Sequence, residues 1–198
     1  MRNFEIPASL RKFANANTNG WKVGGVASSF HRDLDGEAIT PDAIAAAIPG
    51  FIAARGADGI IGGPMRLHHD FWTGFLRDAI ASLRLPIADQ MELISAISLP
   101  IGRVTKIWVD GAGKTHWEGF LSPANPVARV IWGLLREGAI HLGVSLGGKI
   151  YETRSGGRDR LNRPCTLITK IRIDELSVTD NPALRLTEGE DTGAYIQA

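Results

Sequence analysis

Glycine and proline interrupt this chain at short intervals. With 23 glycines and 10 prolines among 198 residues, few stretches are long enough for the continuous helices of a bundle, so many short elements joined by turns are expected. Between the breaks, the periodicities can be read. A polar arm over residues 1–20 leads into a first strand, Trp21 to Ser28. Thr40 and Pro41 form a helix start, with the threonine as N-cap and the proline where its missing N–H costs nothing. The Ala- and Ile-rich run to Arg55 follows, and Pro49-Gly50 should end or kink it. A loop spans 56–66, and the spacing of Phe75, Leu76, Ile80 and Leu83 predicts a helix over 72–85. Residues 87–98 fit neither period clearly. A hairpin runs from Gly102 to Val109, turns at 110–113 and returns from Lys114 to Leu121. Asn125 and Pro126 open a helix over 126–137 whose apolar positions are Val127, Val130, Ile131, Leu134 and Leu135. Strands then dominate, Ala139 to Ile150 and Thr166 to Thr179, before a polar tail from about Leu186. The pattern predicts a mixed α+β domain around a curled sheet or barrel.

Composition narrows the function classes. Lys plus Arg is 22 and Asp plus Glu is 21, a formal net charge of +1, without the basic surplus of a protein that neutralises phosphates. The one local basic cluster is Arg154, Arg158, Arg160 and Arg163, expected in a Gly-rich loop. A 44% hydrophobic content supplies a core, and no apolar run approaches the roughly 20 residues of a membrane helix. A soluble, intracellular chain is expected. The single cysteine, Cys165, rules out an intrachain disulfide and a Cys-rich zinc site, and no helix N-terminus activates its thiol. The GxxxxGK[ST], GxGxxG and GxSxG patterns do not occur.

Three segments carry possible chemistry. Alternation over 140–149 puts Ile140, Leu142, Val144 and Leu146 on one face and His141, Gly143, Ser145 and Gly147 on the other. One hydroxyl flanked by two glycines is open to a substrate carbonyl, and amides at Gly147 and Gly148 can face a developing oxyanion. The same pattern fits a Gly-rich edge or bulge with an incidental serine. Over 169–178, alternation aligns Thr169, Ile171, Ile173, Glu175 and Ser177, and a carboxylate on an apolar face needs a partner such as a histidine ring. A strand ending near Asp174 would instead leave Glu175 in solvent. The third segment is His68-His69-Asp70. Adjacent histidines on extended chain point oppositely, and His31, His116 and His141 are scattered, so no metal is expected, although a metal-assisted hydrolase using His68, His69 and Asp70 is one reading. No cofactor is implied.

In chain order, these pieces resemble the prohead maturation proteases of tailed bacteriophages, the group related to the HK97 prohead protease. Gly25-Val-Ala-Ser-Ser-Phe30, Asp33-Leu-Asp-Gly-Glu37 and Ile39-Thr-Pro-Asp-Ala43 are similar to the family's first strand, acidic turn and first helix. His69-Asp70 and Leu99-Pro-Ile-Gly-Arg-Val104 resemble its His-Asp and Pro-Ile-Gly elements. Gly143-Val-Ser-Leu-Gly147 resembles its nucleophile strand, and Glu175-Leu-Ser-Val-Thr-Asp-Asn-Pro-Ala183 its closing motif.

The resemblance implies a fold like herpesvirus assemblin, a mostly antiparallel β-barrel surrounded by helices, over residues 21–185. It implies a serine endopeptidase with Ser145 as nucleophile, His69 as base (His68 if the register slips by one), Glu175 as third member and Gly147 and Gly148 amides at the oxyanion. Its substrates and partners would be the phage scaffold protein and the major capsid protein, met in the host cytoplasm inside the procapsid. A homo-oligomer is compatible with it, as is a protease-fold assembly protein of the phage head without peptidase activity. Two departures stand out. Residues 71–98 form an insertion between the His-Asp and Pro-Ile-Gly elements, and the tail over 186–198 is short, so the scaffold is expected to be a separate protein.

Overall fold

The computed structural model describes residues 3–12, 21–33, 35–54, 62–67, 78–137 and 142–179. The strands are β1 (Asn3–Lys12), β2 (Trp21–Ser28), β3 (Glu37–Ile39), β4 (Gly63–Leu67), β5 (Gly102–Val109), β6 (Thr115–Leu121), β7 (Gly143–Arg158) and β8 (Pro164–Thr179). The helices α1 (Pro41–Ile52), α2 (Ile87–Ser98) and α3 (Pro126–Glu137) lie between them. The strands form one sheet in the order β3-β8-β4-β5-β6-β2-β1-β7, and β7 also pairs with β8, which links seven of the strands in a ring. The α+β class and the curled sheet are therefore as expected. "Mostly antiparallel" needs correction, because the sheet is mixed: β3 and β4 both run parallel to β8. Each contacts β8 after a crossover of the chain, a long-range pairing that strand-by-strand periodicity does not encode.

Local chemistry explains the helices. Thr40 Oγ1 accepts from the Ala43 N–H at 3.3 Å, and α1 then runs through Pro49 to Ile52. Of the two expected outcomes at Pro49-Gly50, an end or a kink, the helix does not end there. An interior proline costs about 3 kcal/mol, but the turn beyond it carries Phe51, buried at 2% exposure. The ring lies over the start of β4, where a Cβ on Gly63 would stand 2.1 Å from Phe51 Cζ. Burial of a phenylalanine returns up to roughly 3 kcal/mol, enough to offset the proline. In α3, Asn125 Oδ1 accepts from the N–H groups of Val127 (2.8 Å) and Ala128 (3.2 Å). Its core face is Ala128, Ile131 and Leu135, while Val130, expected among the apolar contacts, is 62% exposed.

Residues 87–98 form α2. Gln90, Ile94 and Ile97 are half-buried, whereas Ile87, Met91 and Leu93 face solvent. Apolar residues on both sides of the helix blur its 3.6-residue period. Of the helix predicted over 72–85, residues 78–82 are helical and 72–77 lie outside the described residues.

The β7–β8 hairpin shapes the rest of the molecule. Its turn is built on Asp159, whose Oδ1 accepts from the N–H groups of Leu161 (3.0 Å) and Arg163 (2.8 Å). Oδ2 accepts from Arg32 N–H (2.9 Å) and Arg163 Nε (2.7 Å). Burial alone would raise this carboxyl, but the hydrogen bonds from Arg163 and the backbone outweigh it and hold it at about 2. The loop expected around the arginine cluster is consequently short, with Arg154 and Arg158 already in β7.

Candidate active site

Val144 and Leu146 of β7 pair with Val178 and Leu176 of β8, and all four are fully buried on the core side of the sheet. The opposite face carries Gly143, Ser145 and Gly147, as the alternation predicted, next to Thr179, Ser177 and Glu175. Ser145 lies directly across from Ser177, and Gly147 across from Glu175.

Glu175 reaches this face through a bulge. Gly147 pairs with Glu175 and the next residue, Gly148, pairs with Ile173, so Asp174 is an extra residue in β8. The expectation that Glu175 shares the face of Ile171 and Ile173 is therefore wrong. The bulge reverses the alternation, leaving both isoleucines with the core and turning Glu175 to the serine side. Glu175 is also not in solvent, being only 5% exposed. Its Oε1 accepts from Ser177 Oγ at 3.1 Å, and its Oε2 stands 3.3 Å from Arg66 Nε. Arg66 comes from β4, where it pairs with Ser177 in the parallel ladder. A guanidinium and a hydroxyl on its two oxygens offset part of the cost of burying this side chain.

Ser145 differs from expectation in one respect: its exposure is 1%, not that of an open nucleophile. Its Oγ has no hydrogen-bond partner among the described residues. Backbone pairing surrounds it, with β1 on one side, Pro7 opposite Ser145, and β8 on the other. Gly147 and Gly148 are likewise paired on both sides, with Glu5 and Phe4 of β1 and with Glu175 and Ile173 of β8. Gly148 also has a packing role, since a Cβ there would come within 1.9 Å of the Arg172 carbonyl oxygen.

The histidines divide. His68, His69, Asp70 and His141 lie outside the described residues. β4 ends at Leu67, opposite Val178 and one rung beyond Arg66–Ser177. His31 is buried with Nδ1 2.7 Å from Ser29 Oγ. His116 Nε2 lies 2.7 Å from Asp110 Oδ2, and this hydrogen bond is the main cause lowering the Asp110 carboxyl. Neither is near Ser145 in the ladder. Among the described residues no cluster of His, Cys, Asp and Glu is arranged to hold a metal ion. Burial raises the Cys165 thiol above its ordinary value, which suits an inert thiol.

Arg66 is the site residue that sequence reasoning passed over. Its signal was available: a lone cation between Met65 and Leu67, two residues before His68, on a strand too apolar to present it to water by default.

No protein-family profile matches this chain, and no curated relative does. A solved structure does, that of the capsid assembly protease gp21 of bacteriophage T4, with a TM-score of 0.56 at 8% identity over 91% of this chain and 98% of that one. At that identity the likeness is one of fold: the curled α+β sheet described above is similar to that of this capsid assembly protease.

Proposed function

We propose that this chain is a serine endopeptidase that cleaves scaffold and capsid-precursor segments during procapsid maturation. The observation that carries the reading is the single sheet face on which Ser145, Ser177, Glu175 and Arg66 converge from three strands, one rung from the point where β4 leads into His68-His69. The shared fold with a phage capsid assembly protease supports it.

In the proposed reaction Ser145 Oγ attacks the scissile carbonyl while a histidine takes its proton. The carbonyl oxygen becomes an oxyanion, met by amides near Gly147 and Gly148 where the bulge loosens the ladder. The histidine then protonates the departing amine, and water releases the acyl group by the same steps in reverse. Glu175 orients the imidazole through its carboxylate. His69 is the proposed base and His68 the alternative. An uninterrupted pleat beyond Leu67 would carry His68 to the Arg66 face, whereas His69 needs a one-residue irregularity. Comparison of His68→Ala with His69→Ala decides between them.

The decisive experiment is co-expression with scaffold and capsid precursor. Ser145→Ala should abolish processing, and unchanged processing in a folded Ser145→Ala protein would refute the reading. A second reading, a protease-fold assembly protein without peptidase activity, is favoured by the near-complete burial of Ser145. It requires intact copies retained in stoichiometric amounts in mature particles.

A further inference from the structure

Building on the serine-protease reading, we infer that Arg66 is a positioning residue that holds and aims the Glu175 carboxylate, and that it ties the end of the 71–98 insertion to the catalytic face. Two contacts of Arg66 differ in kind. Its Nε stands 3.3 Å from Glu175 Oε2, and its Nη1 donates to the Ser98 carbonyl at 2.8 Å. Ser98 is the last residue of α2. One planar guanidinium therefore spans the gap between a buried carboxylate and a helix C-terminus, where carbonyls lack intrahelical donors and cations are favoured. The planar fork suits such a bridge better than a lysine ammonium does.

Among the described side chains, the other charges on this face come from β7 and β8. From β7, Lys149 stands one rung further along the same face, and Gly147 and Ser145 bring no charge. From β8, Arg172 is engaged by Asp174, with Nε 2.6 Å from Oδ1. From α2 the Ser98 carbonyl reaches Arg66 and not the carboxylate. Arg66 is thus the cation that the described residues place on Glu175. If Glu175 orients the base as proposed, loss of a nearby cation makes the carboxylate and the imidazole together take up a proton more readily, whichever partner receives it. The base would then be blocked at a pH where it is free in the native protein.

The full-length protein can be tested with a fluorophosphonate probe, which reports Ser145 reactivity without a known substrate. Labelling rate is measured from pH 5 to 9 for wild type, Arg66→Met, Arg66→Lys and Glu175→Gln. Arg66→Met should label at least about tenfold more slowly near neutrality, with the acid limb moved up by about one pH unit, the low end of the effect of a nearby opposite charge. Arg66→Lys keeps the cation, so its rate can fall while the limb stays in place. In a Glu175→Gln background, Arg66→Met should move the limb no further. A folded Arg66→Met that loses rate equally at every pH has lost only structure, and that result overturns the proposal. So does a displaced limb in Arg66→Lys, the decisive variant if Arg66→Met does not fold. If the wild type does not label, or Ser145→Ala labels equally, the protease reading itself fails and takes the role of Arg66 with it.

Discussion

Ser145 and Gly148 lie three residues apart on one strand and should respond to alanine in opposite ways. The Ser145 hydroxyl is buried without a hydrogen-bond partner among the described residues, so Ser145→Ala removes a polar atom unsatisfied there and should leave stability unchanged or raise it by about 1 kcal/mol, while abolishing any serine chemistry. Gly148→Ala sets a methyl group against the Arg172 carbonyl oxygen, and backbone cannot turn aside as a side chain can. Its expected cost is roughly 3 kcal/mol, at the upper end of overpacking effects. Urea denaturation of the two variants beside wild type measures both. At this scale the sequence was informative about Ser145, whose flanking glycines and alternation put it on the predicted face. It was silent about exposure, because burial depends on what other segments bring to that face. Arg66 escaped notice for a similar reason: its partners, Glu175 and the Ser98 carbonyl, are distant in sequence.

At the level of elements, the capped helix α3 and the β5–β6 hairpin were legible because their signals are local: an Asn-Pro start, and a turn in which Asp110 Oδ1 accepts from Ala112 and Lys114 N–H. The β7–β8 turn depends on a carboxylate and so responds to pH. Asp159 sits at about 2 in the fold, against about 3.9 in an unfolded chain. A depressed carboxylate contributes stability that is full above the unfolded value and is lost as pH falls toward the folded one. The difference corresponds to roughly 2 kcal/mol. Asp159→Asn should therefore be destabilised by about that amount at pH 7, with the gap to wild type narrowing below about pH 4 in urea titrations. The position of Glu175 was not legible, because a bulge is a property of two strands in register and only β8 is visible in its own sequence.

Across the whole molecule, the curled sheet was anticipated but the two parallel pairings with β8 were not. They place β4, with Arg66 and the lead into His68-His69, beside the strand that carries Glu175 and Ser177. The insertion adds α2 at the periphery, with Ile87 and Met91 exposed at 79% and 59%. Ile87→Glu and Met91→Glu should therefore change thermal stability by no more than about 0.5 kcal/mol. A larger loss would show that this side of α2 supports the fold.

Asp174 makes the carboxylate's location a matter of parity. Which side of the sheet Glu175 occupies is decided by whether an odd or an even number of residues separates it from its neighbours, not by the chemistry of the glutamate. If Asp174 took a rung of the ladder instead of bulging out of it, every proposed participant would remain in the chain, yet the occupants of the two faces beyond Ile173 would be exchanged. Deletion of Asp174, which has no rung on β7 to lose, would instead keep Glu175 opposite Gly147.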